Sequence, residues 1–366
     1  MIKSCDSGSL PPVGDFEKFM DGAKNFCKNG ESAEYFERRV VSSFIDKIRV
    51  GIDVPNYPQF RDMNTMFFEM IDGVEKFEDG YLMSSVPSLK ADNCHVPEIL
   101  ALERNSERIH EEKGENFEIR VCITGPYTLA SFFPYRDECI FSRLGNVISE
   151  ILETNLFSND YGKTSLVSVD EPLFGLVDDT LIDFGSNGRE DLLSAWETIF
   201  SIIRSKKAQT MMHLHSTTNE LFWHIDSLQV IDSHVDDPLI ERKKTCSMLE
   251  SKDKFLKASL TANDFDKLIE ARIVAAPSQK LSDSDVSEKI ADVWNKIKNE
   301  QTDPNVFLDS IQIMKRRLTS VVKRFGVDRI LFAGPECGLK GYPTYENALE
   351  CLKRVADTIV AFNKEL

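Results

Sequence analysis

Two histidines and one distant cysteine have the residue types that proteins use to bind zinc. His213 and His215 lie two positions apart at the end of the apolar run 208–212, and Cys337 follows a second apolar run at 329–333. Side chains two apart in a β-strand project from the same face, so we expect both imidazoles to point at one place. Imidazole nitrogen and thiolate sulfur are preferred zinc ligands, and three protein ligands leave a position for a substrate. The pattern therefore predicts a catalytic zinc site.

The same three residues also have an interpretation that involves no metal. Histidine and cysteine are both found in protein cores, where cysteine behaves as a small hydrophobic residue. Two packed histidines and an inert core cysteine would give the same spacing, so spacing alone does not decide between the two.

Two small-residue motifs also follow predicted strands. Gly8 and Ser9 lie in a turn after the first strand, whereas Thr124 and Gly125 lie between a strand at 117–123 and a helix. An ordinary turn accounts for the first motif, because glycine, serine and proline are common in turns. The proline that follows Gly125 is typical of a first helical turn, which accounts for the second motif.

Two adjacent acids, Asp170 and Glu171, end the strand predicted at 165–169. Carboxylates at a strand end can bind a substrate ammonium group or hold a proton. They can equally begin a helix, where negative charge interacts favourably with the helix dipole. Both acids are therefore candidate substrate-binding residues, with this structural alternative open.

The composition excludes several classes of protein. The chain has 366 residues, of which 42% are hydrophobic and 10% aromatic, so it can form a large core and global disorder is not expected. The formal net charge of −16 argues against a nucleic-acid-binding protein, because no positive field attracts phosphates. No signal peptide opens the chain, no apolar run approaches the roughly 18 residues of a membrane span, and the cysteines show no pairing pattern. We therefore expect a cytoplasmic protein with reduced thiols.

Predicted strands and helices alternate along the chain. This alternation is typical of parallel βαβ units, and about eight such units predict an α/β fold of the (β/α)8 TIM barrel type. Most polar motifs fall at the carboxyl ends of strands, where barrel active sites form. A doubly wound sheet is the alternative, but no Gly-x-Gly-x-x-Gly follows the first strand. The predicted strands are 1–5, 80–84, 117–123, 165–169, 208–212, 229–232, 255–260 and 329–333, the predicted helices are 15–29, 32–50, 62–74, 97–113, 140–156, 189–206, 283–299, 310–325 and 344–362, and the polar stretch 276–305 is expected to be a mobile excursion.

Five motifs, taken in order, resemble the catalytic barrel of cobalamin-independent methionine synthase. Gly8–Pro11, Pro58–Met63 and Thr124–Thr128 are similar to the family's Gly-Ser-Phe/Leu-Pro turn, its glutamate-bearing segment and its Thr-Gly-Pro-x-Thr. Val169–Leu173 is similar to its Ile-Asp-Glu-Pro-Ala, and Pro335–Lys340 to its Pro-Asp-Cys-Gly-Leu-Lys. The likeness runs from end to end of the chain. It implies one catalytic barrel over residues 1–366, without room for the second, N-terminal barrel of long members, as in the short archaeal forms.

The resemblance implies a set of zinc ligands. The family binds zinc through a His-x-Cys pair, a glutamate on the next strand and the cysteine of Asp-Cys-Gly. His213 and Cys337 match the first and last ligands, His215 stands at the middle cysteine, and the glutamate position falls near Asp232. These four residues are the expected ligands, and His234 is the alternative to Asp232.

The resemblance also implies a substrate pocket. Ser9 and Asp170 match residues that hold the amino-acid part of homocysteine, whereas Gln59 stands where the family has glutamate. One negative charge that would bind the substrate ammonium is therefore lost. The expected pocket consists of Gly8, Ser9, Gln59, Thr124, Gly125, Asp170 and Glu171.

The activity implied is transfer of a methyl group to the thiol of homocysteine, which gives methionine. Zinc deprotonates the thiol, and the donor is a methylated pterin or a methyl-corrinoid, the latter carried on a corrinoid protein. The expected catalytic residues are His213, Cys337 and Asp170. A histidine in place of a thiolate ligand makes the site one unit more positive, so two alternatives stay open. One is transfer to another thiol such as coenzyme M, and the other is a barrel that binds a thiol or amino acid without turnover. No nucleic-acid or membrane partner is expected.

Overall fold

Strands and helices alternate along most of the chain, as the sequence pattern predicts. The computed structural model describes residues 1–28, 30–78, 80–275 and 282–366. The strands are β1 (Lys3–Ser4), β2 (Ile71–Phe77), β3 (Gly80–Leu89), β4 (Phe117–Thr124), β5 (Gly162–Glu171), β6 (Gln209–Leu214), β7 (Val230–Ser233), β8 (Phe255–Thr261) and β9 (Ile330–Pro335). The helices are α1 (Phe16–Lys24), α2 (Glu31–Arg49), α3 (Thr65–Phe68), α4 (Pro97–Arg104), α5 (Ser106–Lys113), α6 (Pro126–Ala130), α7 (Ile140–Asn155), α8 (Asn187–Ser205), α9 (Lys244–Ser251), α10 (Phe265–Ala275), α11 (Asp283–Lys298), α12 (Ile311–Phe325) and α13 (Tyr345–Asn363).

The centre of the fold is a curled parallel sheet. Within the described residues, seven strands pair in the order β1-β9-β8-β7-β6-β5-β4, and each neighbouring pair is parallel. The two outer strands, β1 and β4, do not pair with each other. Segment 54–56 lies between them and makes single parallel bridges from Val54 to Cys5 and from Asn56 to Arg120. The predicted α/β fold is confirmed at this level, and it is consistent with a TIM-like barrel whose strands do not form a closed paired ring.

The two faces of the sheet are built from alternate residues. In β5, Val167 and Val169 belong to the large apolar core between the sheet and the helices. Leu166, on the opposite face, belongs to a small apolar cluster inside the curl of the sheet. The small cluster consists of Cys5, Val54, Leu166, Met211, Val230 and Phe332. Polar and charged side chains lie beyond it towards the carboxyl ends of the strands.

Residues 62–89 differ from the prediction. The helix expected over 62–74 ends at Phe68, and β2 and β3 pair as an antiparallel hairpin outside the parallel sheet. Gly73 has a φ of +78°, a backbone conformation that an α-helix does not contain and that glycine adopts without strain. The strand expected at 80–84 is therefore part of this hairpin and contributes nothing to the parallel sheet.

The helix expected over 97–113 is two helices, α4 and α5, with Asn105 between them. Residues 276–281 of the stretch expected to be mobile lie outside the described residues, and α11 occupies much of the rest. All eight cysteines lie in the described ranges and are free. None of the helices in the described part of the chain has the length and apolar character needed to cross a membrane.

Candidate metal centre

Four side chains converge at the carboxyl ends of β6, β7 and β9. His213 lies in β6 and His215 one residue beyond it, His234 directly follows β7, and Cys337 lies two residues after β9. One ligand atom from each of the four lies within 4.8 Å of the others. Cys337 Sγ is 3.6 Å from His215 Nε2, and the rings of His215 and His234 have centroids 4.3 Å apart. The structure thus brings His213, His215 and Cys337 together, and the fourth member is His234.

Asp232 differs from the expectation that it is a metal ligand. It is two residues before His234 in β7, so it lies about 6.6 Å deeper along the strand. Its Oδ2 accepts a hydrogen bond from His213 Nδ1 at 3.1 Å, and its Oδ1 accepts one from Lys257 Nζ at 2.8 Å. Arg120 Nη2 is 3.7 Å from the same carboxylate. Asp232 is therefore held behind His213 by these cations and does not belong to the ligand cluster.

The charges around the cluster favour a thiolate. Burial raises the pKa of the Cys337 thiol, but the charge of His213 and the close approach of all three imidazoles outweigh burial and hold this pKa well below its usual range. Burial lowers the pKa of His213, but the negative charges of Asp232 and Cys337 outweigh it and raise that pKa to about 10. Cys337 and His213 therefore stabilise each other's charged forms.

The donor set fits a zinc ion. Nε2 of His213 and Nε2 of His234 are buried and have no hydrogen-bond partner among the described residues. An unpaired buried nitrogen is costly unless some group satisfies it, and a metal ion would do so. Three imidazoles and a thiolate are ligands that suit zinc better than magnesium or calcium.

Asp170 lies beside this cluster. It ends β5, where its Cα pairs across the sheet with that of His213, and its side chain is almost fully buried. Ser168 Oγ donates to its Oδ1 at 2.6 Å, and Arg120 Nη2 is 4.0 Å away. Burial raises the pKa of Asp170, and the positive charges of His213 and Arg120 offset part of that effect. A buried carboxylate thus lies next to the ligand cluster.

Glu171 differs from the expectation that it lines the substrate pocket. Its carboxylate accepts hydrogen bonds from the backbone of Tyr127 at 3.0 Å, the backbone of Thr128 at 2.7 Å and Trp196 Nε1 at 2.8 Å. Successive residues of a strand face opposite ways, so Asp170 points inside the curl and Glu171 points towards α6 and α8. Glu171 therefore caps the short helix α6, which is the structural alternative for this acid pair.

Thr124 and Gly125 have structural contacts of their own. Thr124 Oγ1 donates to the carbonyl oxygen of Met63 at 2.8 Å. A Cβ on Gly125 would lie 2.3 Å from the carboxyl carbon of Glu171, so glycine is needed for Glu171 to approach α6. These contacts hold the loop after β4, and neither residue directs a free side-chain group at the ligand cluster.

The Gly8–Ser9 turn contacts the loop that carries Cys337. The carbonyl oxygen of Ser9 accepts a hydrogen bond from the backbone of Leu339 at 2.8 Å, and a Cβ on Gly338 would lie 1.8 Å from Ser9 Oγ. Gly8 has a φ of +96°, and an added Cβ would be 2.0 Å from the Asn56 amide nitrogen. The turn is therefore fixed in place next to Cys337.

Gln59 lies beside this turn with a buried side chain. Its backbone nitrogen donates to the carbonyl oxygen of Gly8 at 3.1 Å. Its amide nitrogen is 3.4 Å from Tyr57 Oη and 3.7 Å from Met66 Sδ, and Cys122 Sγ is 3.8 Å from its amide oxygen. The position expected to bind an ammonium group is thus occupied by a neutral side chain with neutral partners.

The sequence reasoning missed a layer of buried charges beneath the cluster. Lys47, Arg120 and Lys257 are all essentially inaccessible to solvent. Lys47 pairs with Asp6 at 2.7 Å, and Lys257 pairs with Asp232. A signal was present, because Arg120 and Lys257 are each the one basic residue of a mostly apolar strand. Buried charges of this kind are rare unless they are paired.

Glu336 was also missed. Its carboxylate accepts hydrogen bonds from the backbone of Val235 at 2.9 Å and of Asn263 at 3.0 Å, and it lies 3.9 Å from His234 Nδ1. It therefore ties the loops after β7 and β8 to the loop of Cys337.

A cavity of about 580 Å³ gives access to the cluster from outside. His215 and His234 form part of its wall, together with Asn263, Phe265 and Trp294. A small ligand could therefore reach the exposed side of the two imidazoles.

The comparisons with known proteins support the resemblance at the level of the fold. No family model matches the chain, and no curated protein matches it. Among solved structures, the chain is similar to a B12-independent methionine synthase from Shewanella sp. W3-18-1 in complex with selenomethionine, with a TM-score of 0.59 and 13% identity. The alignment covers 100% of this chain and 98% of that chain. At this identity the likeness shows a shared fold, and the expected single-barrel archaeal type stays a prediction.

Proposed function

We propose that the protein is a zinc-dependent methyltransferase that methylates the thiol of homocysteine to give methionine. The observation that carries this proposal is the cluster of His213, His215, His234 and Cys337 at the strand ends, with the Asp170 carboxylate beside it. The cluster suits a thiol-activating metal, and the carboxylate suits an ammonium group. Homocysteine contains both a thiol and an ammonium group.

The four cluster residues would hold the zinc ion, and because zinc can extend its coordination from four to five ligands, a substrate thiol could still bind. Bound zinc lowers the pKa of a substrate thiol, so that the thiol is ionised at neutral pH. The transfer then needs a bond between this sulfur and the methyl carbon, while the donor leaves with the electron pair of its broken bond to that carbon. A methylated pterin and a methyl-corrinoid are both donors of this kind.

The chain's own residues would orient the substrate. Asp170 is buried, and of its two carboxylate oxygens only Oδ1 receives a hydrogen bond from a described residue, Ser168, so Oδ2 can accept a bond from an ammonium group. Ser9 adjoins the Cys337 loop, where its hydroxyl can bind the carboxylate at the other end of the amino acid.

We further propose that the fold is a (β/α)8 barrel, with residues 1–366 as one catalytic domain and segment 54–56 as the second strand. The support is backbone hydrogen bonding on both sides of that segment. Val54 donates to the carbonyl oxygen of Ser4 at 3.0 Å, and Arg120 donates to that of Pro55 at 2.9 Å. These bonds bring the two ends of the curled sheet to one segment.

A second acceptor, an anionic thiol such as coenzyme M, is favoured by one observation. Gln59 brings no charge to the position where the family has glutamate. Asp170 is then the one acid of the expected pocket that is left to bind a substrate ammonium group, since Glu171 caps α6. A thiol without an ammonium group would need neither acid.

Metal analysis and product analysis test these proposals together. We expect the purified protein to contain about one zinc per chain. We expect methionine to form from homocysteine with methylcobalamin or a methylated pterin, as measured by mass spectrometry. Preferential methylation of coenzyme M would show that coenzyme M, and not homocysteine, is the acceptor. Zinc binding without turnover of any donor and thiol would favour a barrel that only binds its ligand, and absence of zinc would contradict the proposal.

A further inference from the structure

His213, Asp232 and Lys257 form a row across three neighbouring strands. The Cα of Asp232 pairs with that of His213 on one side and with that of Lys257 on the other. All three side chains are buried, and the hydrogen bonds run from Lys257 Nζ to Asp232 Oδ1 and from His213 Nδ1 to Asp232 Oδ2. The row leaves His213 Nε2 as the nitrogen without a partner among the described residues.

Lys257 also contacts the strand that leads to Cys337. Its Nζ donates a second hydrogen bond to the carbonyl oxygen of Pro335 at 2.7 Å, two residues before Cys337. Gly334 makes room for this contact, because a Cβ there would lie 3.2 Å from Lys257 Cε and 2.0 Å from the carbonyl oxygen of Cys5. One ammonium group thus links the carboxylate behind His213 to the strand end that positions the sulfur.

We infer that Asp232 and Lys257 are positioning residues for the metal cluster. Asp232 accepts a hydrogen bond from His213 Nδ1, which leaves Nε2 free to bind the metal. Lys257 fixes Asp232 relative to the Cys337 loop. The inference rests on the proposed zinc site and assigns Asp232 a role behind the ligands instead of among them. Carboxylates in such a place fix the tautomer and orientation of a ligating histidine.

A gain in folding stability does not by itself explain why Asp232 and Lys257 are buried as an ion pair. The cost of removing two charges from water offsets most of their attraction, and hydrophobic replacements of similar size often leave a protein equally stable. Two double variants can therefore remove the charges without leaving one ion unpaired.

The test compares Lys257→Met combined with Asp232→Asn against Lys257→Met combined with Asp232→Leu. Both variants lack the ion pair, and both remove the negative charge next to Arg120. Only the asparagine variant keeps an oxygen that can accept a hydrogen bond from His213 Nδ1. Zinc affinity is measured by competition with a chromophoric chelator, and folding is checked by circular dichroism. The absorption of the cobalt-substituted forms reports whether the sulfur ligand is retained.

We expect the leucine variant to bind zinc about 10–100-fold more weakly than the wild type, and the asparagine variant to recover most of that loss. Cobalt–thiolate absorption should persist in both. Equal zinc affinities of the two variants would overturn the inference while leaving the proposed function intact. A wild-type protein that binds no zinc would instead overturn the proposed function, and this inference with it.

A measurement on the zinc-loaded wild type covers the case in which the leucine variant does not fold. Long-range proton–nitrogen NMR correlations distinguish a histidine with its proton on Nδ1 from one with its proton on Nε2. We expect His213 to carry the proton on Nδ1. A proton on Nε2, with Nδ1 bound to the metal, would overturn the inference.

Discussion

The outward and inward faces of the parallel sheet come from alternate residues of the same strands, yet their chemistry is opposite. On the outward face, Val169 and Met212 join an apolar core with Trp196 and other helix residues. On the inward face, a six-residue apolar cluster gives way to buried ions such as Arg120 and Lys257, and then to the histidine and cysteine cluster. Stability is therefore concentrated on one face and candidate chemistry on the other.

Asp170 and Glu171 show this division within two adjacent residues. Both are buried carboxylates at the end of β5, and burial raises the pKa of each. Asp170 lies beside the ligand cluster, whereas Glu171 is hydrogen-bonded to α6 and to Trp196. Variants on the two faces should therefore change different measurable quantities.

The largest expected effect is on zinc binding, on the inward face. Cys337→Ser should weaken zinc binding by about 2.5–4 kcal/mol, which is a quarter of the roughly 10–16 kcal/mol typical of sites with four such ligands. The fold should persist, because Cys337 lies at the rim and not in the apolar core. The matched control is Cys351→Ser in α13, on the outward face, which should keep its zinc. Full zinc retention by Cys337→Ser, measured by metal analysis, would remove the cluster from consideration as a metal site.

The next effect is on stability, on the outward face. Burial raises the pKa of Glu171 from 4.5 to about 7, so between these values the folded protein holds a proton that the unfolded chain has released. The free energy of unfolding should therefore fall as the pH rises from 4.5 to 7, by about 2.5 kcal/mol for this group. Glu171→Gln removes the titrating group.

Urea unfolding at pH 5 and pH 8 measures this contribution. The wild type should lose about 2.5 kcal/mol more than Glu171→Gln between pH 5 and pH 8, and taking this difference cancels the contributions of other groups. Parallel pH profiles of the two proteins would show that Glu171 is ionised throughout.

The sequence predicted the parallel sheet well, because buried parallel strands have a clear local pattern. It also predicted three of the four clustered residues, since His213 and His215 obey the period of two and Cys337 follows a strand. It chose Asp232 as the fourth ligand over His234, whereas the structure places His234 in the cluster. That choice depends on where β7 ends, and a shift of two residues moves a side chain by one layer of the interior.

The hairpin at 71–89 was missed for a related reason. Met66, Phe67 and Phe68 are buried by one helical turn, and the apolar residues beyond them were interpreted as the same helix. The left-handed conformation of Gly73 is incompatible with that helix. A local signal was present, because Asp72 and Gly73 form an Asp-Gly pair, which is typical of turns. The ion pairs inside the curl join residues distant in sequence, such as Asp6 with Lys47, so local patterns do not predict them.

Asp170 and Glu171 should also differ in their effect on substrate binding. Asp170→Asn should raise the Michaelis constant for homocysteine at least about tenfold, because a hydrogen bond to a charged group contributes roughly 1.5–3 kcal/mol. The adjacent variant, Glu171→Gln, should leave this constant near its wild-type value, since Glu171 faces the helices. Steady-state kinetics with both variants measures the Michaelis constant for homocysteine. Equal constants for Asp170→Asn and the wild type would place the ammonium group elsewhere or exclude homocysteine.

The smallest expected effect concerns Gln59, on the inward face next to the Gly8–Ser9 turn. Gln59→Glu should improve homocysteine use about threefold, because a second carboxylate attracts the ammonium while desolvation of the new charge offsets much of the gain. Coenzyme M carries a sulfonate and no ammonium, so the same variant should use it less well. The control Gln59→Met keeps the volume of the side chain and adds no charge. It should therefore leave the preference between the two thiols as it is in the wild type. The measurement is the ratio of kcat/KM values for homocysteine and coenzyme M in each variant. If Gln59→Glu weakens homocysteine use or strengthens coenzyme M use, the inward face is arranged for an anionic thiol, and that acceptor replaces homocysteine.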